Sequence, residues 1–198
     1  MAAMLAQSLL ALSLVVRVYD AFGVPGHHLD TARTTVDRIL KDAGVAIVWR
    51  QCPCPAPVAS GELVIRVIAA SPLNEPASLG FSFVDVRRRA GTLATVFADR
   101  VHALAADAGI DDDGELLGRA IAHEVTHLLV GTREHEPHGL MRGLWTTTEL
   151  AKPQPSYWIL SGTERTKIRQ AIARRSIEST LPAVVTADAD PASDVSAQ

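Results

Sequence analysis

Cysteine is nearly absent. The 198 residues hold two, Cys52 and Cys54, too few for a four-thiolate metal site. With one residue between them, any disulfide they form is of a strained and uncommon kind. An excess of charge of one sign is also missing. Nineteen Lys and Arg stand against 22 Asp and Glu, for a net charge of −3 and a pI near 6.1, which argues against a broad basic surface and against nucleic acid as a partner. No apolar run reaches the roughly 20 residues needed to cross a bilayer. The longest uncharged stretch is residues 1–16, so no stable membrane span is expected. No Ser-His-Asp order and no glycine-rich phosphate loop is evident.

What is present is the composition of a folded globular protein, 47% hydrophobic and 21% charged, at a length that suits one domain. Residues 1–13 read as a signal peptide with Ala11-Leu12-Ser13 at its cleavage site, although no Lys or Arg precedes the apolar run. That reading places the protein outside the cytoplasm, in a periplasmic or extracellular setting. Residues 14–180 are expected to form the domain. Residues 181–198, rich in Ala, Asp, Ser, Pro and Val without periodicity, read as a disordered tail.

Within the domain the apolar periodicity predicts an α+β fold with a mixed sheet of about five strands. Strands are expected at Val15–Tyr19, Val45–Trp49, Leu63–Ile68, Leu79–Val84 and Thr92–Phe97. Leu29, Ala32, Val36, Ile39, Leu40 and Ala43 recur at helical spacing before Gly44. Further helices are predicted over Ala98–Ala108, Glu115–Val130 and Glu164–Ile177, the last with Ser161 and Glu164 at capping-box spacing.

Four of the seven histidines fall between His123 and His138. His123 and His127 are four residues apart, so a helix projects both imidazoles from one face. That separation allows both to bind one Zn²⁺ ion, and Glu124 beside them is placed to take a proton from activated water. A catalytic zinc needs a third protein ligand. Gly131 can turn the chain back under the helix, which brings His135 or His138 towards the metal. His135 is preferred, His138 is the reserve, and Glu149 on a later segment is a third alternative. Met141 is the one methionine outside the first four residues. It would form either an apolar floor beneath the metal or an ordinary part of the core.

The run His123-Glu124-Val125-Thr126-His127-Leu128-Leu129-Val130-Gly131, with His135 and Gly139-Leu140-Met141-Arg142 after it, resembles the zincin metallopeptidases and, within them, the metzincin branch. The gap from His127 to Gly131 and the gap from Gly131 to His135 are each one residue longer than in the metzincin pattern H-E-x-x-H-x-x-G-x-x-H. The pattern H-E-x-x-H-L-L-x-G-x-x-x-H-x-x-x-G-[IL]-M-R of a group of bacterial zincin-like proteins is similar throughout, and Trp145 fits its ending. The resemblance implies a small zincin-like domain, with an active-site helix carrying His123, Glu124 and His127 and a C-terminal helix. It also implies that Gly80, Phe81, Ser82 and Phe83 form an edge strand that holds an extended peptide by backbone pairing, and that Trp145 and Tyr157 either line the cleft or pack in the core.

The function expected is zinc-dependent hydrolysis of peptide bonds with Glu124 as general base, acting on a peptide or protein substrate. Two alternatives stay open: a zinc-stabilised binding module without catalysis, and a zinc hydrolase of a non-peptide amide. His27, His28 and His102 are read as surface residues, and Arg87, Arg88 and Arg89 as a solvated hairpin end.

Overall fold

The computed structural model describes residues 12–71, 75, 77–152 and 154–180. Most of the proposed signal peptide and all of the tail lie outside these residues. The first β-branched run forms strand β1 (Leu12–Asp20), three residues longer at its start than Val15 would suggest. Leu12 and Ser13, read as part of a cleavage site, pair in the sheet with Val45 and Ala46.

Helix α1 (Gly26–Lys41) carries the chain across to β2 (Val45–Cys52), which lies parallel to β1. Strand β3 (Leu63–Ile68) pairs with the other side of β1, also in parallel. Strands β4 (Gly80–Asp85) and β5 (Ala90–Phe97) form a hairpin, and β5 joins β3 in parallel. The result is a mixed five-stranded sheet of order β2-β1-β3-β5-β4. Beyond it lie α2 (Ala98–Asp107), α3 (Gly114–Val130), α4 (Thr147–Ala151) and α5 (Gly162–Thr180). The architecture is α+β, as expected. Among the described residues, no helix is long and apolar enough to cross a membrane.

Alternation along the strands decides which face is covered. Leu14, Val16 and Val18 of β1, Leu63, Ile65 and Val67 of β3, and Ala94 and Val96 of β5 are all buried. They share one core with Ala32, Val36 and Leu40 of α1 and with Leu117, Ile121, Val125 and Leu128 of α3. Helix α3 packs against α1, β5, β4 and α5 and is buried around nearly its whole circumference. A helix enclosed in this way holds its side chains in fixed directions. This rigidity matters for the residues it carries.

Two features had no counterpart in the sequence reading. Arg17 is 2% exposed, and its guanidinium donates to Glu62 Oε2 at 2.7 Å and to the carbonyls of Ala56 and Pro57 at 2.6 and 2.7 Å. Burial alone would raise the Glu62 carboxyl, but the Ala59 N–H and Arg17 outweigh it and hold its pKa below the usual value. This pair ties the proline-rich segment after β2 to the centre of the sheet. Where that segment leaves the strand, Cys52 at the end of β2 is disulfide-bonded to Cys54. The second feature is α4, too short for apolar periodicity, which begins with a capping box between Thr146 and Glu149. A short 3-10 turn, Pro155–Trp158, follows it.

Candidate metal centre and active-site cleft

Helix α3 ends at Gly131, whose φ of 74° and ψ of 34° are left-handed. A Cβ there would come within 2.1 Å of the backbone carbon of Arg89, so both conformation and space demand glycine. The turn sends the chain back beneath the helix and delivers His135 to the two helical histidines. His127 Nε2 lies 3.0 Å from His123 Nε2 and 3.3 Å from His135 Nε2. His138 is exposed and stands outside this group. Glu149 is not a ligand either. Its carboxylate accepts from the Thr146 N–H at 2.9 Å and pairs with Arg142.

The tautomers follow from the other ring nitrogens. His123 Nδ1 lies 3.0 Å from the carbonyl of Leu140, and His127 Nδ1 lies 2.8 Å from the carbonyl of Thr132. A carbonyl only accepts, so both Nδ1 atoms carry the proton and both Nε2 atoms present lone pairs. Burial, aided by the neighbouring His127, lowers the His123 pKa to about 3. Burial likewise lowers His127 to about 4, and lowers His135 from its usual value. At neutral pH no proton therefore stands between two lone pairs 3.0 Å apart. Such an arrangement is repulsive unless a cation lies between them, and three converging neutral imidazoles are a donor set for a divalent transition metal. The carbonyls that accept from the Nδ1 atoms are outer partners of the kind that orient metal-binding histidines.

Glu124 projects from the same helix and is 6% exposed. Burial pushes its pKa up to about 7, opposed by a hydrogen bond from Ser82. With the three histidines it lines a cavity of about 400 Å³, whose other wall includes Gly80, Phe81 and Ser82 of β4. Phe83 is instead 52% exposed, its ring 5.0 Å from that of Phe81. Strand β4 is the last in the sheet order, so its outer edge carries backbone groups without a strand partner among the described residues.

Other predicted residues find definite places. Trp145 does both things considered for it: it lines the cavity and packs edge-on to His123 at 5.8 Å and to Trp158 at 5.2 Å. Tyr157 packs against the core, 5.0 Å from the Arg142 guanidinium carbon. Met141 is 3% exposed and joins the core. It lines a second cavity, with Arg87, Arg88 and Arg89, beside the α3 C-terminus. The carbonyl of its neighbour Leu140 meets His123 of the triad. His28 and His102 are not simply solvated, since their Nδ1 atoms lie 2.7 and 2.9 Å from the two oxygens of Asp113. These are hydrogen-bond distances, and they join the starts of α1 and α3 to α2.

The perturbed groups give the metal-free chain a defined response to acid. His123 and His127 have folded pKa values of about 3 and 4 against 6.5 unfolded. The unfolded chain thus binds more protons below pH 6.5, and stability falls as the pH drops through that window. Glu124, raised from 4.5 to about 7, acts in the opposite sense between those values. Two imidazoles outweigh one carboxyl. The melting temperature of chelated protein, followed by circular dichroism, is expected to fall on acidification from pH 6.5 to 4.5. Glu124→Gln should steepen that fall.

No protein-family model matches the chain, and no curated protein matches it in sequence. Among solved structures it is similar to metalloproteinase-II from Bacteroides fragilis, at 12% identity and a TM-score of 0.49, over 82% of this chain and 54% of that one. The chain thus spans about half the length of that protein.

Proposed function

We propose that this protein is a zinc-dependent peptidase. The observation that carries this reading is the convergence of three neutral imidazole Nε2 atoms beside a buried carboxylate, in a cavity walled by an edge strand. His123, His127 and His135 would hold the ion. Zinc bound there supplies a Lewis acid that brings the pKa of water towards about 7 and polarises a carbonyl.

The chain's own residues account for the rest. Glu124, with a pKa near neutrality, is matched to accept a proton from the attacking water and return it to the leaving nitrogen. The outer edge of β4, unpaired among the described residues, offers backbone N–H and C=O groups to an extended peptide, which gives affinity without strong side-chain selection. Leu79, Leu104 and Leu144 give the cavity apolar walls, suited to an uncharged side chain beside the scissile bond. Export belongs to the same reading, supported by the Cys52–Cys54 disulfide, a bond type that persists in oxidising compartments.

The test is cleavage of an unfolded protein substrate by zinc-loaded, chelated and zinc-restored samples. Cleavage that is lost on chelation and regained with zinc is the expected result. A chelator-sensitive melting temperature with no cleavage of any peptide would make the protein a zinc-stabilised binding module. Turnover of small amides alone would make it a non-peptide hydrolase.

A further inference from the structure

Ser82 lies on the strand expected to face substrate, but its side chain has another partner. Its Oγ lies 2.6 Å from Glu124 Oε2 and 2.9 Å from the Glu124 carbonyl oxygen. A hydroxyl has one proton to give. The shorter contact, to a carboxylate oxygen, is the stronger acceptor. The other carboxylate oxygen is bordered by the same strand. A Cβ on Gly80 would stand 3.0 Å from Glu124 Oε1 and 3.2 Å from its Cγ. Residues two apart on a strand share a face, so β4 meets both oxygens of one carboxylate: Ser82 bonds the first, and Gly80 leaves room at the second.

A glutamate has three side-chain torsions, and Glu124 borders a cavity rather than packed core on one side. A general base is effective only while it stays within hydrogen-bond reach of the proton it takes. We propose that Ser82 is a positioning residue that holds Glu124 by Oε2, so that Oε1 is the oxygen that exchanges protons with water and leaving group. Because Ser82 belongs to the edge strand, the same backbone that would pair with a peptide also sets the base. Substrate and base are aligned by one element. The proposal rests on Glu124 being the general base of the proposed reaction.

The experiment compares zinc-loaded wild type, Ser82→Ala and Ser82→Thr, with Ser82→Ala also placed in a Glu124→Gln background. Ser82→Ala is expected to lower kcat by about tenfold to a hundredfold, the scale of a misplaced catalytic group, with KM and zinc content unchanged. Ser82→Thr should recover most of that loss, because the hydroxyl returns. In the Glu124→Gln background Ser82→Ala should cost nothing further, since it acts only through that carboxylate. A second readout needs no turnover. Acetohydroxamate gives a proton to a neighbouring carboxylate as it binds a metal, so its calorimetric affinity should weaken severalfold in Ser82→Ala and recover in Ser82→Thr.

Unchanged kcat and unchanged acetohydroxamate affinity in Ser82→Ala would overturn the proposal. So would a kcat loss that Thr does not repair, or one that persists in full in the Glu124→Gln background. If wild type cleaves no peptide, the peptidase reading fails on its own, and the acetohydroxamate series alone decides the role of Ser82.

Discussion

Glu124→Gln is expected to lower kcat by about 10²–10⁴-fold, the range supplied by general acid–base catalysis, while zinc stays bound at full occupancy. Gln has the same shape and can still accept the Ser82 hydroxyl, but it takes no proton at any working pH. The three imidazoles and their carbonyl partners on Leu140 and Thr132 are untouched by the change. The fold should not suffer either. Glu124 is 6% exposed with a pKa near 7, so the metal-free chain loses stability as the pH rises through that value and the carboxyl ionises in place. Replacement by a neutral isostere removes that loss, and the melting temperature of chelated protein above pH 7 should rise. Steady-state assays, zinc analysis and thermal melts on the same preparation separate the effects. Turnover within tenfold of wild type at full zinc occupancy would show that another group moves the proton.

The parts of this molecule legible in the sequence are those whose information is local. The period-2 runs and the Leu29–Ala43 periodicity mark β1 to β5 and α1, and the His123–His127 spacing needs only a helix to bring two imidazoles together. Helix α4 was missed because five residues carry no period, although Thr146 and Glu149 stand at the capping-box spacing that would have marked its start. Long-range placement is a different matter. Nothing in residues 12–20 says that β1 lies between β2 and β3, or that Arg17 reaches across to Glu62. Ser82 and Glu124 are 42 positions apart, and no local pattern announces that one holds the other. The third histidine of the group falls between these cases. Gly131 announces a turn, but which of His135 and His138 comes back to the helix depends on the path of the loop and on what meets it from beyond.

What meets it is Gly143. His135→Ala is expected to weaken zinc binding by more than the roughly 10–100-fold that loss of an outer-shell partner costs, because it removes a direct donor and leaves two. His138→Ala should bind as wild type does, since that ring is exposed and outside the triad. The pair of variants is read by competition against a chromophoric zinc chelator, with the absorption of the cobalt-substituted protein reporting the donor set. Gly143→Ala supplies an intermediate case. Its Cβ would lie 3.3 Å from the Cγ and Nδ1 of His135, tight enough to press on the ring without deleting it. His135 has the least buried ring of the three and comes from a loop, so it can yield where His123 and His127, fixed on a fully packed helix, cannot. A modest loss of affinity in Gly143→Ala beside a severe one in His135→Ala would show that the loop ligand is the adjustable arm of the site. Equal and severe losses in His135→Ala and His138→Ala would instead require a loop path different from this one.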